Sequence, residues 1–552
     1  MATKSTMEHE PGDVFVRRAS GLRREWHSYD AFFYNFLQID PAFNLYLPFI
    51  LTLIPGLYLG ANLPLAWLLG VALLTPTMLT YAMMSASMPR SGGEYVFISR
   101  LIHPSLGFAF VTLGFTLANL AWITSVGQVV IGQQGLGIPL YVLGMAFNQP
   151  TLVSASAWFS SQTGSMFAVV VFGILVPAFL ITLGMKIYAY VQRIFMVVAV
   201  IGAVFLIGAF AAVSQSQFVQ AFNTFNLATM GPDAYNQLIE TATKSGYAFT
   251  TQFSLSDTTI ATVLTMSMLM WAWFSTPLLG EIKSAGKLKS TLLFIWGPMA
   301  AVGAYQMLFS VLFPQMVGAK FLGAMGYLWN TGGIDPSKLP VQPYHTWYVL
   351  MALPFWWVAL IMMLGNVFHG IYANCSNILG PVRYLFAQSF DRILPSQIAY
   401  VEPRTRTPLV ALVIMVVGGI AWTVWQLANP SLWTYITSAA FSTLAVVIGV
   451  CAAGAVFPYR MPDAYKQSPA AKYKVGGLPL ITILGILGII SQVFLGYYYV
   501  TVSSLGSLGT PSSMAVLTGI AVLLIAYYFV AKWYRDRRGV RVDFAFREIP
   551  PE

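Results

Sequence analysis

Apolar stretches about as long as a bilayer is thick, separated by shorter polar segments, run through most of the chain. Because roughly 20 residues of α-helix cross the hydrocarbon core, this pattern predicts twelve membrane-spanning helices. The first covers residues 29–57, and the predicted spans that follow are 64–87, 105–135, 165–185, 187–213, 256–281, 291–315, 346–385, 408–427, 433–457, 477–501 and 513–534. The eighth is too long for a single crossing, and we expect its start to project from the membrane as a helix bent at Pro354.

The first predicted span is interrupted near its middle by Ile39-Asp40-Pro41-Ala42. Pro41 has no backbone N–H and its ring collides with the preceding turn, so the helix breaks or kinks there. A bare carboxylate at this depth costs at least ~2.5 kcal/mol, and non-helical backbone persists there only where it lines a cavity or is buried in protein. An interrupted helix with an ionisable residue is typical of a transporter's central site. The alternative is a kinked helix in which a hydroxyl or amide of a neighbouring helix caps Asp40.

A second interruption is predicted in the sixth span, within the aromatic segment Trp271–Pro277. Each interrupted span opens a block of five spans, and because five is odd the second block enters the membrane inverted, as in many transporters. The sequence therefore predicts an all-α integral membrane protein with a five-plus-five inverted repeat and broken helices 1 and 6. The predicted divisions are a cytoplasmic N-terminal tail (1–27), a first repeat (28–214), an external loop (215–254), a second repeat (255–458), the last two spans with the preceding cytoplasmic loop (459–535) and a cytoplasmic C-terminal tail (536–552).

The basic residues indicate which ends of the spans face the cytoplasm. Of 29 Lys and Arg residues, only Lys244, Lys320 and Lys338 lie in loops on one side of the predicted bundle, and the others share the opposite side with both ends of the chain. Cytoplasmic loops are enriched in Lys and Arg. The pattern predicts a multi-pass protein of the cell membrane with both termini in the cytoplasm.

The composition agrees with a membrane protein and excludes other classes. The chain is 57% hydrophobic and 9% charged, whereas soluble proteins carry about 25% charged residues. The net charge is +10, but the basic residues are dispersed over loops, so we expect no nucleic-acid partner. Cys375 and Cys451 both lie in apolar runs, which argues against a disulfide framework.

Three loops resemble, in sequence and order, the signature segments of the amino acid–polyamine–organocation (APC) superfamily. They are Ser85–Arg100 with Pro89-Arg90-Ser-Gly92-Gly93, Arg383–Pro395 with Asp391-Arg392, and Gly280-Glu281-Ile282-Lys283, where the family's following Asn-Pro is Ser284-Ala285. The resemblance covers roughly residues 28–535. Arg90, Glu281 and Asp391 are therefore candidate gating residues. The alternative is that these loops are tight turns whose charges anchor at lipid headgroups.

The resemblance implies a substrate pocket between the breaks of spans one and six, surrounded by spans three, eight and ten. Members of the family typically carry Gly-small-Gly-Ile-Phe in span one, which aligns with Ile39-Asp40-Pro41-Ala42-Phe43 here, so that both glycines are replaced. At the second break, Trp271 stands at the family's Gly. These departures weaken the expectation of a standard α-amino-acid substrate.

We predict a binding site in which Asp40 pairs with a cationic amine while Trp271, Trp273 and Phe274 present their faces to a cation or an aromatic ring. The alternative is that these aromatic residues only pack or face lipid. The predicted substrate-binding residues are Ile39, Asp40, Pro41, Ala42, Phe43, Trp271, Trp273, Phe274 and Ser275.

The candidate coupling residues lie in the eighth span. His369 is 14 residues before Arg383, roughly 21 Å along a helix, and a histidine exchanges protons near neutral pH. The alternative is a neutral His369 bonded to a carbonyl. Asn374 and Ser376 could offer oxygens to sodium or instead bond to a neighbouring helix. The coupling ion stays open between H⁺ and Na⁺, and we expect no other cofactor and no bound metal.

The sequence favours a secondary active transporter for amino acids or related amines and organic cations, working by alternating access. Its predicted partners are the bilayer and a small-molecule substrate. The chain lacks GxxxxGK[ST], HExxH and GxSxG, which argues against an ATP-driven pump and against an enzyme. The alternatives are a nutrient-sensing receptor with the transporter fold, an obligate amino acid exchanger and a channel.

Overall fold

A computed structural model describes residues 21–335, 339–429, 433–505 and 510–546. The outer parts of both predicted tails, residues 1–20 and 547–552, lie outside this range, as does Lys338. Within it, eleven helices are long and apolar enough to cross a membrane. They are Leu63–Ser87, Pro104–Ala146, Gln162–Thr182, Met185–Ala212, Leu255–Glu281, Leu288–Val317, Trp356–Phe390, Leu409–Ala428, Phe441–Arg460 (within the helix Trp433–Arg460), Leu480–Thr501 and Pro511–Arg537. The predicted all-α membrane fold is confirmed.

The first span consists of two shorter helices, Ser28–Gln38 and Tyr46–Leu57. We number the spans from one to twelve in chain order, with these two helices together as span one. The predicted interruption at Asp40-Pro41 is present, because residues 39–45 between the two helices are not helical.

Span six is interrupted by a change from an α-helix to tighter 3₁₀ turns. An α-helix runs over Leu255–Leu269, and two tighter 3₁₀ turns follow at Met270–Trp273 and Thr276–Glu281. These turns place the second interruption within the predicted aromatic segment. Asn35 ties the two breaks together, because its amide nitrogen donates to Ser275 Oγ at 2.9 Å and its oxygen accepts the Ser275 N–H at 2.8 Å.

Spans three and four contain wider π-helical segments, and two of these segments lie where the spans cross. These segments are Thr112–Leu117 and Gly127–Gly137 in span three and Ala168–Leu175 in span four. A Cβ on Gly127 would lie 2.9 Å from the Cα of Val169. The crossing therefore depends on a glycine at this contact.

The eighth predicted span is divided at Pro354, as expected from its length. A separate helix, His345–Ala352, precedes the long helix Trp356–Phe390. The expected bend is a full interruption of three residues, since proline at 354 cannot continue the first helix.

The ends of the spans define two faces of the bundle. We call the face that carries Lys283, Arg392 and Arg535 the basic face. Its shorter elements are the helices Gly93–Leu101, Ser396–Ala399, Pro462–Gln467, Pro469–Lys472 and Val542–Phe546 and the antiparallel strands Lys474–Val475 and Leu478–Pro479. The opposite face carries Pro150–Ser160, Gln215–Phe225, Leu227–Met230, Ala234–Lys244, Ala319–Thr331, His345–Ala352 and Ser503–Leu505.

An aromatic cluster joins the helices of the opposite face to the bundle. The rings of Tyr235 and Phe321 stack at 4.2 Å, and Phe222 meets Phe321 edge-on at 5.1 Å. Phe218 and Tyr348 contact the same group. The segment predicted as an external loop is therefore largely helical and buries its apolar side against the spans.

Candidate functional site

The break in span one is held by the side chain at its centre. Asp40 Oδ1 accepts the backbone N–H groups of Ala42 at 2.8 Å and Phe43 at 2.9 Å. This is a turn closed by an aspartate side chain on the backbone two and three residues further on, and the second helix begins later, at Tyr46. The partners of this oxygen are N–H groups of the break itself, and not a hydroxyl or amide of a neighbouring helix. The Pro41 carbonyl accepts the side-chain amide of Gln306 at 2.5 Å.

The second oxygen of Asp40 faces His369. The distance from Asp40 Oδ2 to His369 Nδ1 is 3.7 Å. Both side chains are buried, and neither atom has a hydrogen-bond partner among the residues that the structure describes. The structure thus brings together two residues that the sequence analysis selected for different roles, substrate binding and proton coupling.

Phe43 anchors the break on its other side. Its ring lies between Gly202 of span five and Gly365 of span eight, and a Cβ added at either glycine would overlap the ring. Phe43 is fully buried. Its position is that of a packing residue that fixes the break against two spans.

A central cavity lies beside the break, between spans one, three, six and eight. Its volume is about 30 Å³, which is space for about two water molecules. The side chains around it are those of Gln38, Asn44, Leu45, Tyr46, Trp122, Val126, Trp271, His369, Ala373 and Asn377. A molecule as large as an amino acid does not fit in this space.

Two of the predicted residues, Trp271 and His369, line the cavity. The indole of Trp271 meets Trp122 edge-on at 6.0 Å. Trp273 points elsewhere, stacking on Tyr81 at 5.0 Å and meeting Phe115 at 5.1 Å. These contacts place Trp273 in the packed core beside the site.

The other residues predicted at the breaks pack around the cavity without lining it. Ile39 and Ala42 are fully buried, the ring of Phe274 lies 5.8 Å from that of Trp271, and Ser275 binds Asn35. In span eight, Asn374 donates to the Ile123 carbonyl of span three at 2.9 Å, and Ser376 donates to the Tyr372 carbonyl at 3.3 Å. Both side chains thus bond to helix backbone.

Sequence reasoning missed the polar and aromatic residues Gln38, Asn44, Tyr46, Trp122 and Asn377. Gln38 and Tyr46 flank the break and Asn44 lies in it, and a polar residue at an interruption in an apolar run is itself a signal. Trp122 and Asn377 lie on spans three and eight, which the resemblance placed around the pocket. Their helical faces could not be chosen because both spans are apolar on several sides.

Two buried ion pairs close the basic face below the cavity. Glu281 of span six binds Arg383 of span eight through both oxygens, at 2.6 Å and 3.0 Å. Asp391 binds Arg100 at 2.5 Å and 2.7 Å and also accepts the Tyr95 hydroxyl at 2.7 Å. These contacts join span eight to span six and to the helix Gly93–Leu101.

The basic partner of Asp391 lies outside the predicted set of gating residues. Asp391 is held by Arg100 of the helix Gly93–Leu101, which begins after the predicted gating residue Arg90. Arg90 donates to the Pro89 carbonyl at 3.4 Å. Arg383 and Arg100, the basic residues of this closure, thus lie within the loop motifs but are not among the predicted gating residues.

The segment Val542–Phe546 covers the second ion pair. Arg100 donates to the Ala545 carbonyl at 3.1 Å, and its guanidinium lies 4.9 Å from the centre of the Phe546 ring. Lys532 binds Asp543 at 2.7 Å and so fixes this segment to the end of span twelve. The C-terminal part of the chain therefore touches the closure of the basic face directly.

Replacing Gly202 by alanine is expected to destabilise the protein by about 1–3 kcal/mol, the usual effect of overpacking a core. The new methyl group would displace the ring of Phe43. Gly208→Ala is the matched control, because Gly208 is on the same helix and a Cβ there meets nothing within 4 Å. Removing a helical glycine at that position should raise the stability by roughly 0.5–1 kcal/mol.

Thermal unfolding of the two purified variants in detergent measures this difference. Equal melting temperatures for Gly202→Ala and Gly208→Ala would contradict the packing of Phe43 between the two glycines.

Residues 47–527 of the chain match the model of a family described as amino acid permease. The matched region extends from the second helix of span one into span twelve, and it begins after the break that contains Asp40. No curated protein matches the chain.

Proposed function

The chain belongs to the amino acid permease family, and on that premise we propose that it is a secondary active transporter that carries amino acids or related amines across the cell membrane by alternating access. Transport, and not chemical conversion, is the activity of this family. The proposal keeps the predicted orientation, with the basic face and both ends of the chain in the cytoplasm. The conformation described above is then closed towards the cytoplasm.

One observation supports this proposal most strongly: the polar atoms around the cavity that have no partner match an amino acid. Among the described residues, Gln38 Oε1 is an acceptor and the Trp122 indole N–H a donor without a hydrogen-bond partner, and the Trp271 indole N–H faces only the Tyr46 hydroxyl. All three atoms are buried, and leaving such atoms unpaired costs about 1–3 kcal/mol each. An ammonium group on Gln38 and a carboxylate on the two indoles would satisfy them together.

The aromatic rings around the cavity would select a substrate by its side chain and by its positive charge. Tyr46, Trp122 and Trp271 enclose the cavity from three spans. Aromatic faces attract ammonium groups by roughly 0.5–2 kcal/mol. The proposed site therefore depends on the indoles and on Gln38 for direct contact, while Asp40 stands behind His369 as the nearest negative charge.

Alternating access follows from the two breaks and the two ion pairs. Spans one and six are joined at Asn35 and Ser275, so we propose that they move together relative to spans three and eight. Opening to the cytoplasm separates Glu281 of span six from Arg383 of span eight, and Arg100 from Asp391. The cavity then enlarges because spans one and six form one side of it and spans three and eight the other.

The test is uptake of labelled amino acids and of amines without a carboxylate into proteoliposomes that contain the full chain. Trp271→Phe keeps the ring and removes the N–H donor. We expect it to raise the KM for amino acids about 10–100-fold, the equivalent of one hydrogen bond to a charged group at roughly 1.5–3 kcal/mol. The KM of an amine without a carboxylate should not change.

Trp425→Phe is the control, because Trp425 lies on span nine with 50% of its surface exposed. Equal changes of KM for both substrate classes in Trp271→Phe would overturn the assignment of the indole to the carboxylate. Binding without uptake would favour a sensing receptor, uptake only into vesicles preloaded with substrate would favour an obligate exchanger, and flux that never saturates would favour a channel.

A further inference from the structure

The two oxygens of the Asp40 carboxylate have different surroundings. Asp40 Oδ1 closes the turn of the break, whereas Oδ2 has no hydrogen-bond partner among the described residues and lies 3.7 Å from the equally unpartnered Nδ1 of His369. The two side chains are 0% and 4% exposed. A distance of 3.7 Å is just longer than a hydrogen bond, so a shift of less than about 1 Å would form a charge-assisted bond of ~2.8 Å.

The charge of the pair depends on one proton. With Asp40 ionised and His369 neutral, the pair carries a net negative charge within the apolar bundle, which is costly. One additional proton makes the pair neutral overall, either as an imidazolium beside a carboxylate or as a neutral imidazole beside a carboxylic acid. The closed bundle is therefore most stable when the pair holds that proton.

His369 is the residue beside Asp40 that can carry the balancing positive charge. Among the described residues, His369 is the one side chain capable of positive charge within 4 Å of the Asp40 carboxylate. The other titratable groups that face the break are Tyr305 of span seven, whose hydroxyl donates to the Ala203 carbonyl, and His345, whose ring faces the Ala42 carbonyl. The Leu37 carbonyl faces His369 as well.

His369 also borders the central cavity. Its ring thus lies between the proposed substrate and Asp40, so that a proton on the pair and a substrate in the cavity act on the same side chain. A hard metal cation is a poorer occupant, because such ions require several oxygen ligands and the pair offers one free carboxylate oxygen and a ring nitrogen.

From this geometry we propose that Asp40 and His369 together form a proton-binding site, and that one proton bound there is carried with each substrate molecule. The proposal rests on the proposed transport function. The proton enters with substrate when the site is open to the outside, neutralises the pair so that the bundle closes, and leaves to water when the basic face opens. The covalent bond to the proton is the one bond that forms and breaks in this cycle.

The experiment uses proteoliposomes of the full chain with a pH-sensitive dye inside. Substrate added outside should acidify the interior of wild-type vesicles, and an inward proton gradient should accelerate uptake of labelled substrate. Asp40→Asn keeps the turn of the break, since an asparagine side chain forms the same hydrogen bonds to the following backbone, but makes the pair neutral without a proton. His369→Gln removes the titrating ring.

In Asp40→Asn, whose side chain does not line the cavity, exchange of labelled for unlabelled substrate should continue while acidification is lost and uptake becomes independent of the proton gradient. In His369→Gln, whose side chain borders the cavity, substrate affinity changes as well, and the expected result is that the remaining uptake is independent of the gradient and causes no acidification. His103→Asn is the control, because His103 caps span three outside the site and asparagine preserves that cap; it should behave as the wild type. Substrate exchange does not require net transport, so it identifies a variant that is folded but no longer couples transport to protons.

Wild-type uptake that is saturable but neither accelerated by the gradient nor accompanied by acidification would overturn the proton site and leave the transport function standing. Acidification retained in Asp40→Asn and His369→Gln would place the proton elsewhere and would also overturn it. A wild type with neither uptake nor exchange of any amino acid or amine would instead refute the proposed function.

Discussion

Arg383→Met is expected to lower the free energy of unfolding by about 3–5 kcal/mol, which is the usual effect of removing one partner of a buried ion pair. Methionine fills a similar volume but leaves the Glu281 carboxylate buried without its partner. Both side chains of this pair are at most 1% exposed, and the two hydrogen bonds are 2.6 Å and 3.0 Å long. The expected destabilisation therefore comes from the unpaired charge of Glu281 and not from lost packing.

The double variant Glu281→Leu/Arg383→Met tests that reasoning. Replacing both members of a buried pair by apolar groups is often nearly neutral, so the double variant should regain most of the stability. Glu240→Gln is the control, since Glu240 and Lys244 form an exposed pair at 2.7 Å whose attraction water screens. Thermal unfolding in detergent provides the measurement. A double variant as unstable as Arg383→Met would show that the pair contributes shape and not charge.

The second large effect is expected from Gly92→Ala at the turn that leads into the helix Gly93–Leu101. Gly92 has a φ of +85°, donates its N–H to the Pro277 carbonyl at 2.9 Å, and a Cβ there would lie 2.5 Å from the Cβ of Ala387. The left-handed conformation costs an alanine about 1–2 kcal/mol. Overlap with span eight adds about 1–3 kcal/mol.

Gly477→Ala separates these two contributions. Gly477 has nearly the same φ, +83°, but a Cβ there meets nothing within 4 Å. Its substitution should show the conformational cost alone, and Gly92→Ala should be the less stable of the two by the packing contribution. Both variants are compared by thermal unfolding and by substrate uptake. Equal stabilities would mean that the turn does not touch span eight.

The spans could be predicted from the sequence because hydropathy alone fixes where a helix enters and leaves the membrane. Most boundaries differ from the structure by a few residues, and the largest difference is in span three, predicted at 105–135 and found at Pro104–Ala146. Pro41 and Pro354 marked real interruptions, since proline cannot continue a helix. The five-plus-five inverted repeat stays a prediction.

The site was harder to predict because its contacts are long-range. Glu281 and Arg383 are 102 positions apart, and Arg100 and Asp391 are 291 apart. Spacing gives no preference between Arg90 and Arg100 as partner for Asp391, which is decided by the direction of the helix Gly93–Leu101. Trp271 and Trp273 likewise diverge only because the tight turn of span six points them to different sides.

The turn that Asp40 closes is a local feature of the sequence. An aspartate whose side chain binds backbone N–H groups two or three residues further on is a common turn. The two expectations for the carboxylate, a substrate amine or a hydroxyl or amide of a neighbouring helix, both leave out the backbone of the break. The structure divides the carboxylate, with one oxygen for the backbone and one for His369.

The attachment of Val542–Phe546 to Arg100 connects the closure of the basic face to span twelve and so to the lipid around the protein. Few residues of span twelve, Pro511–Arg537, are buried against the other spans, and its 27 residues measure about 40 Å. Such a helix tilts when the bilayer becomes thinner, at a cost of fractions of a kcal/mol per Å. Because Lys532 and Asp543 link this helix to the covering segment, we expect membrane thickness to affect how firmly Arg100 is held.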